Sequence, residues 1–163
     1  MKNRLGGRLG SIPLGKSSRI VVIPHNRDTD IQAMITINTL IADFDEKYRT
    51  GISQLDQDFQ KGLLLLKETI QATDEQLPVL LNKLLEHYQL QFFEEEAVFT
   101  AYDTPRVERH FREHQTALGI LSGCVENATA ERCGQARYAL MGEFSQWLAR
   151  YFHEYQRVAV PET

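Results

Sequence analysis

Apolar residues recur at every third or fourth position along much of this chain of 163 residues. That spacing keeps them on one face of an α-helix, because a helix turns once in about 3.6 residues. The period is regular between Leu55 and Ile70, where positions 55, 59, 63, 66 and 70 are apolar. It returns three times in the rest of the chain. The pattern predicts four helices, over about residues 55–72, 73–99, 103–125 and 130–158.

Short polar connections separate these four helices and determine how they pack. Thr73 or Asp74 is expected to cap the second helix. Pro105 falls in the first turn of the third helix, where its missing N–H costs nothing. Long helices joined by short turns pack as antiparallel neighbours. We therefore predict an all-α fold, an up-down-up-down four-helix bundle formed by residues 44–160.

Residues 1–43 form an N-terminal extension to the predicted bundle. An apolar stripe in this extension begins behind Asp28, a suitable N-cap residue, and comprises Ile31, Met34, Ile35, Thr39 and Ile41. The β-branched residues of the same stretch also permit an extended segment. We expect a helix over about 28–43, followed by a loop over 45–53, where a glycine interrupts the pattern.

The composition is that of an ordinary globular domain, with 42% hydrophobic and 25% charged residues. No apolar run approaches the roughly 18 residues that a membrane-spanning helix needs. The N-terminus lacks the apolar core of an export signal. We therefore expect a cytoplasmic protein, in which Cys124 and Cys133 are free thiols.

Charge is distributed unevenly along the chain. Residues 1–27 contain six basic residues and no acidic one, so they carry +6, and residues 28–163 carry −10. A basic segment on an acidic domain can contact an acidic partner, a membrane surface or nucleic acid. It can equally be a solvated, disordered tail, which is the interpretation we favour. Nucleic acid is not expected as a partner.

Metal-ligating side chains concentrate between His87 and His114. His110 and His114 are four residues apart, so their rings lie on the same side of a helix, one turn apart. Glu95 belongs to the preceding helix, and the turn at 101–105 brings it opposite the two histidines. Two imidazoles and a carboxylate inside a bundle are typical of a metal site. The chain has no Gly-rich phosphate loop, CxxC motif or Ser-His-Asp pattern, so neither nucleotide binding nor hydrolysis is predicted.

Four motifs in this order resemble those of hemerythrins, and of bacterial hemerythrin-like domains in particular. FDEKYRTGISQLDQDF at 44–59 resembles the family's N-terminal arm and first helix. The segment 88–96 resembles its second-helix motif H-F-x-x-E-E, and H-x-x-x-H at 110–114 follows at the expected interval. WLARYF at 147–152 resembles the fourth-helix motif. The match covers about residues 44–158 and implies the four-helix bundle of that family.

The resemblance also implies where the ligands of a di-iron centre would lie in this chain. Hemerythrins hold two irons with five histidines, a bridging glutamate and a bridging aspartate. Three of these positions are retained, as Glu95, His110 and His114. The other four fall on Phe59, Gln91, Tyr151 and Gln156. A phenyl ring offers no lone pair and an amide is a weak, neutral ligand, so the iron that binds O2 is expected to be absent.

Two functions stay open on this evidence. The protein is either a non-enzymatic interaction or sensory module, with a protein partner or self-association through the N-terminal extension, or a metal-binding protein. In the second case Glu95, His110, His114 and Tyr151 hold a single Fe or Zn ion, and a redox or O2/NO-responsive site on that ion is a further alternative. Without a metal, a protonated histidine beside Glu95 forms an ion pair. We expect neither a di-iron centre nor enzyme activity.

Other side chains near this cluster are expected to serve the fold. His87 is interpreted as structural or exposed and His153 as a surface residue, while Glu94 and Glu96 are expected to face solvent. The aromatic residues of the second and fourth helices are expected in the core, namely Phe92, Phe93, Phe99, Phe144, Trp147, Tyr151 and Phe152.

Overall fold

A computed structural model describes residues 27–101 and 107–154. The regular structure of these residues is helical throughout: α1 (Arg27–Asp43), α2 (Ser53–Gln71), α3 (Leu77–Ala101), α4 (Val107–Glu126), α5 (Cys133–Tyr138) and α6 (Ser145–Glu154), with π-helices at Phe44–Tyr48 and Ala139–Phe144. The predicted all-α fold is confirmed. The up-down-up-down order stays a prediction. The predictions for residues 1–26, for the turn after 101 and for Gln156 lie outside the described residues.

The core forms where α2, α3, α4 and the segment 133–154 pack on one another. The apolar stripe predicted for α2 is confirmed, since all five of its members are buried: Leu55, Phe59, Leu63, Leu66 and Ile70. Phe59 contacts Phe152 of α6, with ring centroids 5.6 Å apart. The apolar Phe59 side chain is thus part of the core.

The N-terminal extension contributes a helix to the same core. The predicted helix over about 28–43 is confirmed as α1, which packs against α2 and α6 of its own chain. Its buried face consists of Ala33, Ile37 and Leu40. The stripe predicted from the sequence was wrong at Ile31 and Ile35, which are 59% and 53% exposed, and at Thr39, which is exposed too. The apolar residues of α1 are spread over several of its faces. Which of them are buried therefore depends on which face packs against the bundle.

The connection before α2 is more ordered than the sequence suggested. The predicted loop over 45–53 was wrong at its start, where Phe44–Tyr48 form a π-helix that buries both Phe44 and Tyr48. Gly51 then turns the chain with φ 85°, a conformation that favours glycine. The Asp56 carboxylate accepts bonds of 2.7 Å from both the N–H and the hydroxyl of Thr50. These bonds fix the start of α2.

The second connection carries the N-cap predicted for α3. Thr73 N–H donates to the Gln76 side-chain oxygen at 3.2 Å, and Gln76 N–H donates to the Thr73 hydroxyl at 3.3 Å. This reciprocal pair satisfies two backbone donors that a helix start leaves without partners. Of the two candidates, Thr73 is therefore the capping residue.

A π-helix at Ala139–Phe144 interrupts the last helical segment. The Ser145 hydroxyl donates a hydrogen bond of 3.1 Å to the Leu140 carbonyl oxygen, which belongs to this π-helix. A turn of π-helix contains more residues than a turn of α-helix. The apolar face of the helix after the π-helix is therefore rotated relative to the apolar face before it. Tyr138, before the π-helix, is consequently 42% exposed, while Trp147 and Tyr151, after it, are buried.

Both cysteines are buried free thiols, Cys124 in α4 and Cys133 at the start of α5. None of the helices in the described ranges combines the length and the apolar character needed to cross a membrane.

Candidate metal centre

Three helices bring the four predicted ligands together in the interior of the bundle. Glu95 comes from α3, His110 and His114 from α4, and Tyr151 from α6, and all four side chains are buried. One ligand atom from each of Glu95, His110 and His114 lies within 4.8 Å of the others. The predicted cluster of Glu95 and the two histidines is therefore present as a buried group of residues that could hold one metal ion.

The Tyr151 hydroxyl lies at the centre of this cluster. Its oxygen is 2.5 Å from Glu95 Oε1 and 2.9 Å from each Nε2 of His110 and His114. His110 Nε2 is 3.0 Å from Glu95 Oε1, and His114 Nε2 is 3.3 Å from Glu95 Oε2. Four side chains thus direct oxygen or nitrogen atoms at one point.

Glu96 holds the His114 ring from the side opposite the cluster. Its carboxylate lies 2.8 Å from His114 Nδ1. A carboxylate accepts, so Nδ1 carries the proton, and in the neutral ring the Nε2 lone pair points at Glu95 and Tyr151. The expectation that Glu96 merely faces solvent was wrong, because successive helical residues point about 100° apart and Glu96 therefore reaches α4 beside Glu95.

This cluster contains fewer hydrogen-bond donors than acceptors. Tyr151 has one phenolic proton, which it donates to Glu95 at 2.5 Å. The His114 Nε2 lone pair and the Glu95 carboxylate then face each other at 3.3 Å as two acceptors. Glu95 Oε2 has no hydrogen-bond partner in the structure. A positive charge at this point, either a metal ion or a proton on a histidine, satisfies both atoms.

Electrostatics keep Glu95 ionised and Tyr151 neutral. Burial alone would raise the pKa of Glu95, but hydrogen bonds and charge from His110 and His114, when these rings carry a proton on Nε2, outweigh it and lower the pKa to about 2. Burial, together with the Glu95 charge, raises the pKa of the Tyr151 phenol well above its usual value. The cluster therefore presents one carboxylate, two imidazoles and a phenol.

Aromatic rings enclose the cluster. Phe92 stacks on His114 with centroids 4.0 Å apart, and Phe99 meets His110 edge-on at 4.3 Å. Trp147 stacks on Tyr151 at 4.7 Å, and its indole N–H donates to Glu113 at 3.0 Å. The aromatic core predicted from the sequence is thus largely correct. Phe93 is the exception, because its side chain is 71% exposed on the outer face of α3.

A second polar group follows one turn earlier on α3. Gln91, expected at a lost ligand position, is buried with 2% of its surface exposed. His87 Nε2 lies 3.0 Å from the Gln91 amide oxygen and 2.9 Å from the Asp58 carbonyl oxygen of α2. His87 thus links α2 to Gln91, in agreement with a structural role. His153 is exposed, as predicted.

Comparison with protein-family models, with curated proteins and with solved structures finds no match. The resemblance to hemerythrins therefore stays a prediction that rests on the four sequence motifs. The proposal for its function is therefore based on the geometry of the buried cluster.

Proposed function

We propose that this protein is a non-enzymatic metal-binding bundle that holds one Fe or Zn ion through Glu95, His110 and His114, with Tyr151 as a fourth donor. The convergence of these side chains on one buried point is the observation that carries the proposal. The donor set, two imidazoles with a carboxylate and a phenol oxygen, suits either metal.

The spacing of the four donors supports this assignment. A tetrahedral site with bonds of about 2.0–2.2 Å separates its ligand atoms by roughly 3.3–3.6 Å. The histidine nitrogens lie 2.9 Å from the Tyr151 oxygen and 3.0 and 3.3 Å from Glu95. Shifts of a few tenths of an ångström at these contacts, and about an ångström between Tyr151 and Glu95, would admit an ion.

Glu96 supports the same assignment from outside the cluster. Histidines that bind metals commonly donate their second N–H to a carboxylate, which fixes the ring and makes the free nitrogen more basic. Glu96 makes this contact with His114 at 2.8 Å. A metal bound here would supply a Lewis acid, and Glu96, Phe92 and Trp147 would keep its ligands oriented.

A metal-free interaction or sensory module is the second candidate. It is favoured by one observation, namely that Tyr151 already contacts all three proposed ligands at 2.5–2.9 Å. With a proton on His114, these contacts satisfy the cluster without any ion. Partners in this case would dock on the bundle or on the N-terminal extension.

Elemental analysis separates the two candidates. Untagged protein is expressed with added iron or added zinc, and its metal content is measured. We expect about one ion per chain in the wild type and less than about a tenth in His114→Ala, because removing one ligand of three or four strongly weakens such a site. His153→Ala, which removes an exposed histidine, should retain the wild-type content.

Tyr151→Phe provides a second test that keeps the core filled. An iron(III)–tyrosinate bond gives a visible absorption band, which this variant should lose while it keeps its far-UV circular dichroism. A wild-type content below about a tenth of an ion per chain under both conditions would refute the metal-binding proposal.

A further inference from the structure

The outer face of α3 carries a stripe of exposed apolar side chains. Val79, Leu90 and Phe93 are 59%, 65% and 71% exposed, and they are three of the seven large apolar side chains exposed among the described residues. Glu95, which is buried, lies on the opposite side of the same helix. Single exposed apolar residues are common, whereas several on one face mark an interaction site. This face is therefore a candidate docking surface, separate from the metal centre.

The stripe follows the spacing of a coiled-coil seam. A helix that packs along a second helix repeats its contact positions every 3.5 residues, at alternating intervals of three and four. The exposed residues of this face keep that spacing over nineteen positions of α3 and are here called the outer seam: Val79, Lys83, Glu86, Leu90, Phe93 and Ala97. The face thus fits a second helix that lies along it.

Two charges within the outer seam indicate which helix this is. Lys83 and Glu86 have opposite charges and occupy adjacent seam positions. In a two-fold dimer both copies present the same residues, so each contact occurs twice. When two α3 helices pack antiparallel about an axis between residues 84 and 85, Lys83 faces Glu86 of the partner subunit. The same register places Val79 opposite Leu90 of the partner subunit. The seam is then complementary to itself in charge and in apolar character.

Other alignments of the two helices lack this complementarity. In a parallel pair, Lys83 faces Lys83 of the partner subunit and Glu86 faces Glu86 of the partner subunit, so like charges meet. In the antiparallel pair shifted by one step along the seam, Lys83 faces Phe93 of the partner subunit and Glu86 faces Leu90 of the partner subunit. Both charges then lose water without gaining a partner. Of these three alignments, only the first pairs the charges.

We propose that two copies of this protein form a symmetric dimer, in which the outer seams of their α3 helices pack antiparallel. Val79 and Leu90 supply the apolar contacts, and the pairs between Lys83 and Glu86 fix the register. One face of about four helical turns from each chain makes a small interface, and small interfaces are weak. The dimer is therefore reversible. Its formation requires no metal ion, because Glu95 faces away from the seam.

Charge reversal tests the register. In Lys83→Glu both seam charges are negative, and in Glu86→Lys both are positive, so each variant should be a monomer under conditions where the wild type is a dimer. An equimolar mixture of the two variants restores both charge pairs and should dimerise with about the affinity of the wild type. Sedimentation equilibrium of the full chain measures this as a mass of one or two times 18.7 kDa.

Removal of an apolar contact provides a second test. Leu90→Ser should raise the dissociation constant of the dimer at least about 10-fold, as loss of a central apolar contact does. Leu64→Ser is the matched control, because Leu64 is 56% exposed on α2, and it should match the wild type.

Four results would overturn the inference. The first is a wild type that sediments as a single chain at about 200 μM, a concentration at which micromolar complexes are formed. The second is a dimer that persists in Lys83→Glu, which would indicate another surface, such as the N-terminal extension. The third is a mixture of the two charge variants that stays monomeric. The fourth is an equal dissociation constant in Leu90→Ser and Leu64→Ser.

Discussion

At the scale of single residues, Gly62 shows how closely α2 approaches α3. A Cβ at this position would meet His87, Tyr88 and Gln91 at 2.9–3.2 Å. Gly62→Ala should therefore lower the free energy of unfolding by about 1–2 kcal/mol, because the steric cost of overpacking exceeds the gain in helix propensity. Urea denaturation followed by circular dichroism measures this.

Gly119 of α4 provides the matched control, since a Cβ there meets no atom within 4 Å. Gly119→Ala should raise the free energy of unfolding by about 0.5–1 kcal/mol through helix propensity alone. An equal gain in Gly62→Ala would contradict the close approach of the two helices.

Cys124 should be unreactive in the folded protein. Burial first, and the Glu143 charge second, raise the pKa of its thiol from 9.0 to about 12. Since the folded pKa is the higher one, this contribution to stability is complete below pH 9 and is lost as the pH rises towards 12. In a Cys133→Ser background, DTNB should label Cys124 only in urea at pH 7 to 9. Rapid labelling without urea would show that the thiol is accessible.

Sequence reasoning located the cluster at this scale but missed its orientation. The spacing of His110 and His114 and their position relative to Glu95 were sufficient to predict that the three side chains meet. The contact from Glu96 to His114 was missed because no periodicity specifies which of two adjacent carboxylates turns towards a neighbouring helix. The buried position of Gln91 was expected, but the direction of its amide was not predictable, since it depends on His87 and on a backbone carbonyl of α2.

At the scale of elements, α1 contributes to the stability of the bundle. Ile37 is fully buried between α1 and its neighbours, whereas Ile35 is 53% exposed on the same helix. Ile37→Ala should lower the free energy of unfolding by about 2–5 kcal/mol, the usual cost of a cavity in a core. Ile35→Ala should change it by less than about 0.5 kcal/mol. Equal effects in urea denaturation would mean that α1 does not pack as described.

The two π-helices could not be predicted from the periodic pattern of apolar residues. The helical stripe of α2 specified its buried face, because one regular period covers the whole element. The last segment has apolar residues on both sides of Ala139–Phe144, but one wide turn shifts their phase. Its existence was therefore predictable, while the exposure of Tyr138 was not.

At the scale of the whole molecule, a bound ion should stabilise the fold. The ligands come from α3, α4 and α6, so the site exists only when these helices are packed. At 100 times its dissociation constant, an ion contributes about 2.7 kcal/mol, or roughly 5–10 °C in Tm for a domain of this size. Calorimetry with zinc should show this increase in the wild type and in His153→Ala. The increase should be absent in His110→Ala, and an equal increase there would indicate binding elsewhere.

The contact between Glu96 and His114 has a consequence for how the interior can be influenced. The Glu96 side chain is 34% exposed, and the imidazole that it holds is 1% exposed. Neutralising this carboxylate, by substitution or by a cation bound at the surface, would free the ring to change tautomer and would weaken it as an electron donor. A change at the outer surface would thus alter the His114 ring in the interior without any helix having to move.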